Sequence, residues 1–199
     1  SVDKTAAKTG IENRHIAAED ELSSDLAAAA IQKVLARTKI ERDTIDFLIV
    51  CTQSPDGQSS GTAAAVQAKA GLPAGIGALE FNLGCSGYVY ALGMAKAFIE
   101  SGMASRVVVA TVDTYSKYLN PSDKSVRTIF GDGAAATIVA SAESDERIYG
   151  LVYGTDGTGA PSLIVPNGGL GDGVSVSPQS APEARGLVSD GSDLYMDGP

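Results

Sequence analysis

Tryptophan is absent from this 199-residue chain, histidine occurs once, cysteine twice, and 15 lysines and arginines face 24 acidic residues. Each shortage excludes something. At a formal charge of −9 the chain lacks the basic stripe that phosphate neutralisation needs, so nucleic acid is not an expected partner. His15, Cys51 and Cys85 are too far apart in sequence for the paired ligands of a structural zinc site, and no metal is expected. No apolar run reaches the roughly 18 residues of a membrane-spanning helix. The polar start, with Ser1, Asp3 and Lys4, has no signal-peptide apolar stretch. A soluble, cytoplasmic protein with no membrane partner is expected, and there a Cys51–Cys85 disulfide has little reason to form. Neither GxxxxGK[ST] nor GxGxxG occurs, since Gly169, Gly171 and Gly173 merely alternate, and this removes the common nucleotide-binding loops.

What is present is small and apolar: 44% hydrophobic residues and 23 glycines, enough for a real core with close backbone packing. A helix is expected from Leu22 to Thr38, capped by Ser23 or Ser24, with Leu26, Ala30, Val34, and also Ile31 and Leu35, on its apolar face. Phe47 to Cys51 is a continuous apolar run suited to a strand covered on both faces. A small-residue helix follows from Gly61 to Ala70, stopped by Gly71 and Pro73, then a strand from Ala78 to Asn82. Ser86 to Glu100 reads as a helix that is apolar or tiny nearly all round, hence buried. Further strands are expected at Arg106–Thr111, Ala134–Ala140 and Ile148–Tyr153. This alternation predicts an α/β fold with a mixed, mainly parallel five-stranded sheet and helices on both faces. Beyond Gly154 the composition turns to Gly, Ser, Pro and Asp; apart from Leu163 to Val165 that tail reads as loop.

The segment Glu80 to Leu92 places Cys85 at the turn between a buried strand and a helix. Unpaired N–H groups at a helix N-terminus favour an anion, which lowers a thiol's pKa, and Gly84 and Gly87 permit close approach of backbone or substrate. Such a sulfur is a candidate nucleophile. An inert, buried structural cysteine has equal weight on spacing alone, because reactivity also needs exposure.

Several motifs in order carry a resemblance: Lys8-Thr-Gly-Ile-Glu-Asn-Arg-His-Ile-Ala17, Ile45-Asp-Phe-Leu-Ile-Val-Cys-Thr52, Gly84-Cys-Ser-Gly-Tyr-Val-Tyr-Ala-Leu92, Asn120-Pro-Ser-Asp-Lys124 and Ile129-Phe-Gly-Asp-Gly-Ala-Ala135. Together they resemble the N-terminal portion of a 3-oxoacyl-[acyl-carrier-protein] synthase III, a condensing enzyme of the thiolase superfamily. The match extends more loosely to Leu194-Tyr-Met-Asp-Gly198. The resemblance implies a thiolase-like half: residues 1–153 form an N-terminal domain lacking its first strand, and residues 154–199 lead toward a missing C-terminal domain. It implies that Cys85 takes an acyl group from acyl-CoA as a thioester, and that decarboxylating malonyl-acyl carrier protein attacks it to give a 3-oxoacyl product. No cofactor is bound; the coenzyme A thioester is the substrate. A homodimer in fatty-acid biosynthesis is implied as well.

The family's histidine and asparagine, which stabilise the enolate, are expected beyond the end of this sequence, so the chain alone is not expected to complete a condensation. Relatives hold the CoA adenine with a tryptophan and an arginine; the matching positions here are Lys4 and Lys124. Lys124 and Lys8 are therefore the candidate CoA-binding residues, able to meet phosphate but not to stack on a base. The loop Asp56 to Ser60 replaces a bulkier stretch, which leaves acyl-chain length open. The same motifs also fit a hydroxymethylglutaryl-CoA synthase-like enzyme, a secondary-metabolite ketosynthase, or a non-catalytic dimerising scaffold, although scaffolds usually lose the cysteine. His15 reads as surface or structural. Asp132 reads as a turn residue, Cys51 as core, and Glu19 to Glu21 as a solvated helix start. Asp113 and Asp123 are loop residues with no partner evident from sequence.

Overall fold

The computed structural model describes residues 2–57, 59, 61–142, 147–167 and 191–197. Gly169, Gly171, Gly173, Gln58, Ser60 and Gly198 lie outside the described residues. The elements run α1 (Val2–Thr9), α2 (Ser23–Thr38), β1 (Phe47–Cys51), α3 (Thr62–Ala70), β2 (Gly77–Phe81), α4 (Gly87–Glu100), β3 (Arg106–Thr114), α5 (Lys124–Arg127), β4 (Asp132–Ala140), β5 (Leu163–Ile164) and β6 (Tyr195–Met196). They divide into two compact units. One comprises Ala17–Thr114 with Gly133–Tyr153; the other comprises Ser1–Ile16, Tyr115–Asp132 and Gly154–Pro199.

The first of these units holds the sheet, in the order β2-β1-β3-β4. β1 pairs in parallel with β2, Ile49 opposite Leu79, and with β3, Ile49 opposite Val109. Because side chains alternate along a strand, Leu48, Val50, Val108, Ala110 and Val112 face α2 and α3. Ile49, Val107 and Val109 face α4 across the sheet. Both faces of β1 are thus dry, which is what the unbroken apolar run requires. Asp46 fixes the register at the opposite end from the site: its carboxylate accepts the Ser105 and Arg106 N–H groups at 2.7 and 3.0 Å. Glu80 on β2 accepts the Ala63 N–H at 2.6 Å, placing an acid at the positive end of α3.

Several expectations need correction. The sheet has four strands among the described residues, because 148–153 is not a strand. Gly150 breaks the extended run at φ +69°, and Tyr149 and Val152 are 83% and 86% exposed. Tyr153 instead packs in a tilted arrangement against Tyr90 of α4, at 4.6 Å between ring centroids. The buried face of α2 holds the expected Ile31 and Leu35 together with Ala27 and Ala28, with Leu26 packed at its edge, and so is rotated away from Ala30 and Val34. Neither Ser23 nor Ser24 caps it; Leu22 is the cap position, its N–H donating to the Asp25 carboxylate at 2.9 Å. α4 buries only Gly87, Ala91 and Ala95, and Tyr88 and Val89 are exposed, so it is covered on one face rather than all round.

In the other unit, α1 and the short α5 are helices where the sequence pattern predicts none. The tail also is not wholly loop: a 3₁₀ segment, Gly157–Ser162, leads into β5, which pairs antiparallel with β6. Leu194 and Tyr195 are buried beside that pairing.

Candidate active site

Parallel strands bring the ends of β1, β2 and β3 to one edge of the sheet, the usual location of a site in an open α/β sheet. The β2 end runs through Asn82 to Gly87 into α4, and Cys85 stands exposed in that turn. Ser86 precedes α4 with helical backbone angles, and no side chain caps the first turn. The Gly87 N–H donates to the Gly84 carbonyl at 2.8 Å and closes the turn on itself. The peptide dipoles of α4 therefore terminate within two residues of the Cys85 sulfur.

The two flanking glycines are required by close approach and not by backbone angle, since neither has positive φ. A Cβ on Gly84 would meet the Gln53 side-chain amide, and one on Gly87 would meet the Cys51 sulfur and come within 3.2 Å of Leu83 Cβ. Both invading side chains come from the end of β1. Cys51 is buried, and its thiol donates to the Leu83 carbonyl at 3.0 Å. Burial pushes this thiol up to about 11; the hydrogen bond with the Leu83 backbone offsets part of that rise, and the charge of Asp113 adds to it.

Asp113, near the end of β3, organises the segment that carries Gln53. Its Oδ1 accepts the Gln53 N–H at 2.7 Å, the Ser54 hydroxyl at 2.9 Å and the Thr52 hydroxyl at 3.3 Å. Burial raises its pKa, and these donors offset part of that rise. Ser54 Oγ in turn accepts the Thr114 N–H at 2.8 Å, and Ser23 Oγ donates to the Ser54 carbonyl at 2.6 Å. Hence Ser23 faces inward and cannot cap α2.

Lys8, at the last turn of α1, and Lys124, the first residue of α5, are both exposed and belong to the unit that does not contain Cys85. His15 is in that unit also; its side chain is exposed and its carbonyl accepts the Asp132 N–H at 2.8 Å. Asp132 is the first residue of β4 rather than part of a turn; its carboxylate accepts the Ser116 N–H at 2.8 Å, and a Cβ on Gly131 would press to 3.0 Å from the His15 carbonyl. Asp123 caps α5, accepting the Ser125 N–H at 2.9 Å. Among the described residues no group of three or more His, Cys, Asp or Glu is placed to hold a metal, and no helix is long and apolar enough to cross a membrane. The Cys51 thiol, Gln53 and Asp113 are the members of the site that local pattern did not reveal. Their only trace in sequence is the pair of glycines that make room for two of them.

A mainly parallel sheet with helices on both faces, and a glycine-flanked cysteine exposed where β2 turns into α4, defines an α/β unit of the thiolase-like class. Within that class the chain is similar to 3-oxoacyl-[acyl-carrier-protein] synthase III, whose family model matches residues 79–157. A beta-ketoacyl-[acyl-carrier-protein] synthase III of Caldanaerobacter subterraneus subsp. tengcongensis is 39% identical over 162 residues, 81% of this chain and 49% of the relative. The enzyme of that name from Neisseria gonorrhoeae is 38% identical over 193 residues, 97% of this chain and 56% of the relative. The crystal structure of a 3-oxoacyl-(acyl-carrier-protein) synthase III superposes with a TM-score of 0.88 at 48% identity, over 98% of this chain and 59% of that one. The chain spans about half the length of the curated relatives it matches.

Proposed function

We propose that Cys85 is the acyl-accepting nucleophile of a condensing enzyme. The observation that carries this reading is its exposure in a clamped, glycine-flanked turn at the start of α4. The sulfur, as thiolate, attacks the thioester carbon of an acyl-CoA. The carbonyl oxygen becomes an oxyanion toward which the Cys85 N–H is a donor, and the tetrahedral adduct collapses with loss of coenzyme A as its thiolate, which takes up a proton. The chain then carries an acyl thioester.

In the second half-reaction malonyl-acyl carrier protein loses carbon dioxide, and the resulting enolate carbon attacks the acyl thioester. The 3-oxoacyl-acyl carrier protein departs and the Cys85 thiolate returns. The groups that stabilise the enolate belong to the length of the relatives that this chain does not span, and a second thiolase-like domain would supply them. Lys8 and Lys124 are proposed to meet the phosphates of coenzyme A as point charges. The working form is proposed to be a cytoplasmic homodimer.

Incubating the protein with acetyl-CoA and longer acyl-CoAs and measuring intact mass tests the first half-reaction. One acyl mass is expected, mapped to the Cys85 peptide. Label confined to Cys51, or no label on folded full-length protein, overturns the assignment.

A further inference from the structure

The second thiol has no role in the acyl transfer proposed for Cys85, yet it touches that residue's turn on both sides. Cys51 Sγ donates to the carbonyl of Leu83, two residues before Cys85, at 3.0 Å. The same sulfur fills the space that a Cβ would need at Gly87, two residues after Cys85. Between these grips lie Gly84 and Gly87, whose missing side chains leave the turn with more backbone freedom than any other residues would. A turn of that composition needs an external clamp to hold one geometry.

We propose that Cys51 is a positioning residue for Cys85: its thiol anchors the Leu83 carbonyl and backs Gly87, fixing the peptide that presents the nucleophile. The Leu83 carbonyl belongs to the Leu83–Gly84 peptide, the one before the peptide that carries the Cys85 N–H, so anchoring it limits the orientations open to that N–H across the single residue Gly84. A sulfur suits both duties because it is large enough to fill the Gly87 hollow and still carries a proton to donate. With its pKa near 11, the thiol keeps that proton at neutral pH. Asp113 supports the same end of β1 through the Gln53 N–H, and the Gln53 side chain lies against Gly84. The clamp is therefore built from one strand end.

The consequence for rate rests on Cys85 being the acyl acceptor; the consequence for turn geometry does not. Two readouts on the full chain separate them, with wild type, Cys51→Ala and Cys51→Ser compared after thermal melting confirms the fold. The first is hydrogen exchange at the Gly87 amide, which is bonded to the Gly84 carbonyl. Cys51→Ala should exchange about tenfold faster, and Cys51→Ser, which retains a donor, should return to within about threefold of wild type. The second is acylation of Cys85 by acetyl-CoA, which should slow about tenfold in Cys51→Ala and recover in Cys51→Ser. Alkylation by iodoacetamide, which makes little demand on orientation, should change less than about twofold. If Cys51→Ala does not fold, Cys51→Val fills the space without a donor and replaces it. Unchanged exchange in Cys51→Ala, or exchange in Cys51→Ser as fast as in Cys51→Ala, overturns the proposal. Absence of acylation in wild type refutes the acyl-acceptor reading alone, and exchange still decides the role of Cys51.

Discussion

Gly87→Ala tests the packing beneath the turn quantitatively. The added methyl would overlap the buried Cys51 sulfur and stand 3.2 Å from Cβ of the half-buried Leu83, and neither neighbour is the free end of a long chain. Overpacking of this kind costs about 1–3 kcal/mol. Alanine's advantage over glycine in a helix, up to about 1 kcal/mol, is only partly realised at the first helical residue. A net loss of about 1–2 kcal/mol is expected. Cys51→Ala alone removes one hydrogen bond worth about 1 kcal/mol net and a small buried apolar group worth a similar amount. The two changes together place the new methyl where the sulfur was. The loss in the double variant should therefore be about 1.5–2 kcal/mol smaller than the sum of the single losses, a coupling typical of residues in direct contact. Urea denaturation of the four proteins, followed by far-ultraviolet circular dichroism, gives the cycle. Additivity within about 0.5 kcal/mol would refute the claim that the sulfur occupies the Gly87 hollow.

Asp113→Asn keeps the Oδ1 acceptor for Gln53, Ser54 and Thr52 but removes the charge. Because the folded pKa of Asp113 is raised above 3.8, the wild type should gain stability relative to this variant as pH falls through the raised value. The gain levels off below 3.8 and is lost again as pH rises; urea midpoints across that range check it, and the opposite slope would contradict the burial argument. Asp113→Ala removes the acceptor altogether and should cost about 2–4 kcal/mol by the same assay. Asp25→Ala should cost only about 0.5–1 kcal/mol, since its pair with Lys69, at 2.7 Å, is between side chains 37% and 38% exposed. The pKa of Asp25 is lowered by Lys69 and the Leu22 N–H, so this contribution is present above 3.8 and lost as pH falls through the lower folded value. Replacing Lys8 and Lys124 by alanine should raise the acyl-CoA concentration needed for half-maximal acylation several-fold, about 1 kcal/mol in all, and leave acyl-pantetheine unaffected. Equal effects on both donors would remove the two lysines from nucleotide recognition.

The parts of the fold that sequence made legible are those whose neighbours scarcely matter. Phe47 to Cys51 and the valines of β3 are apolar on both faces, so any covered sheet accommodates them, and the turn that exposes Cys85 is marked by its own glycines. Elements decided by distant contacts were not legible. Serine commonly caps helices, but a partner thirty-one positions away, Ser54, draws the Ser23 hydroxyl inward. Ile148 to Tyr153 has strand-like residues, yet Tyr153 finds its contact on α4. β5 and β6 are each two residues long, too short for a local pattern, and exist only through each other. From sequence Asp113 is an acid with no evident partner and Cys51 an ordinary core thiol, because their partners are groups brought together by the parallel sheet.

Release of free coenzyme A from acetyl-CoA, timed over a single turnover, tests the central claim most directly. A burst of about one coenzyme A per chain is expected, abolished by Cys85→Ala and preserved in size, though slowed, by Cys51→Ala. A burst that survives Cys85→Ala, or none from folded full-length protein, would contradict the account.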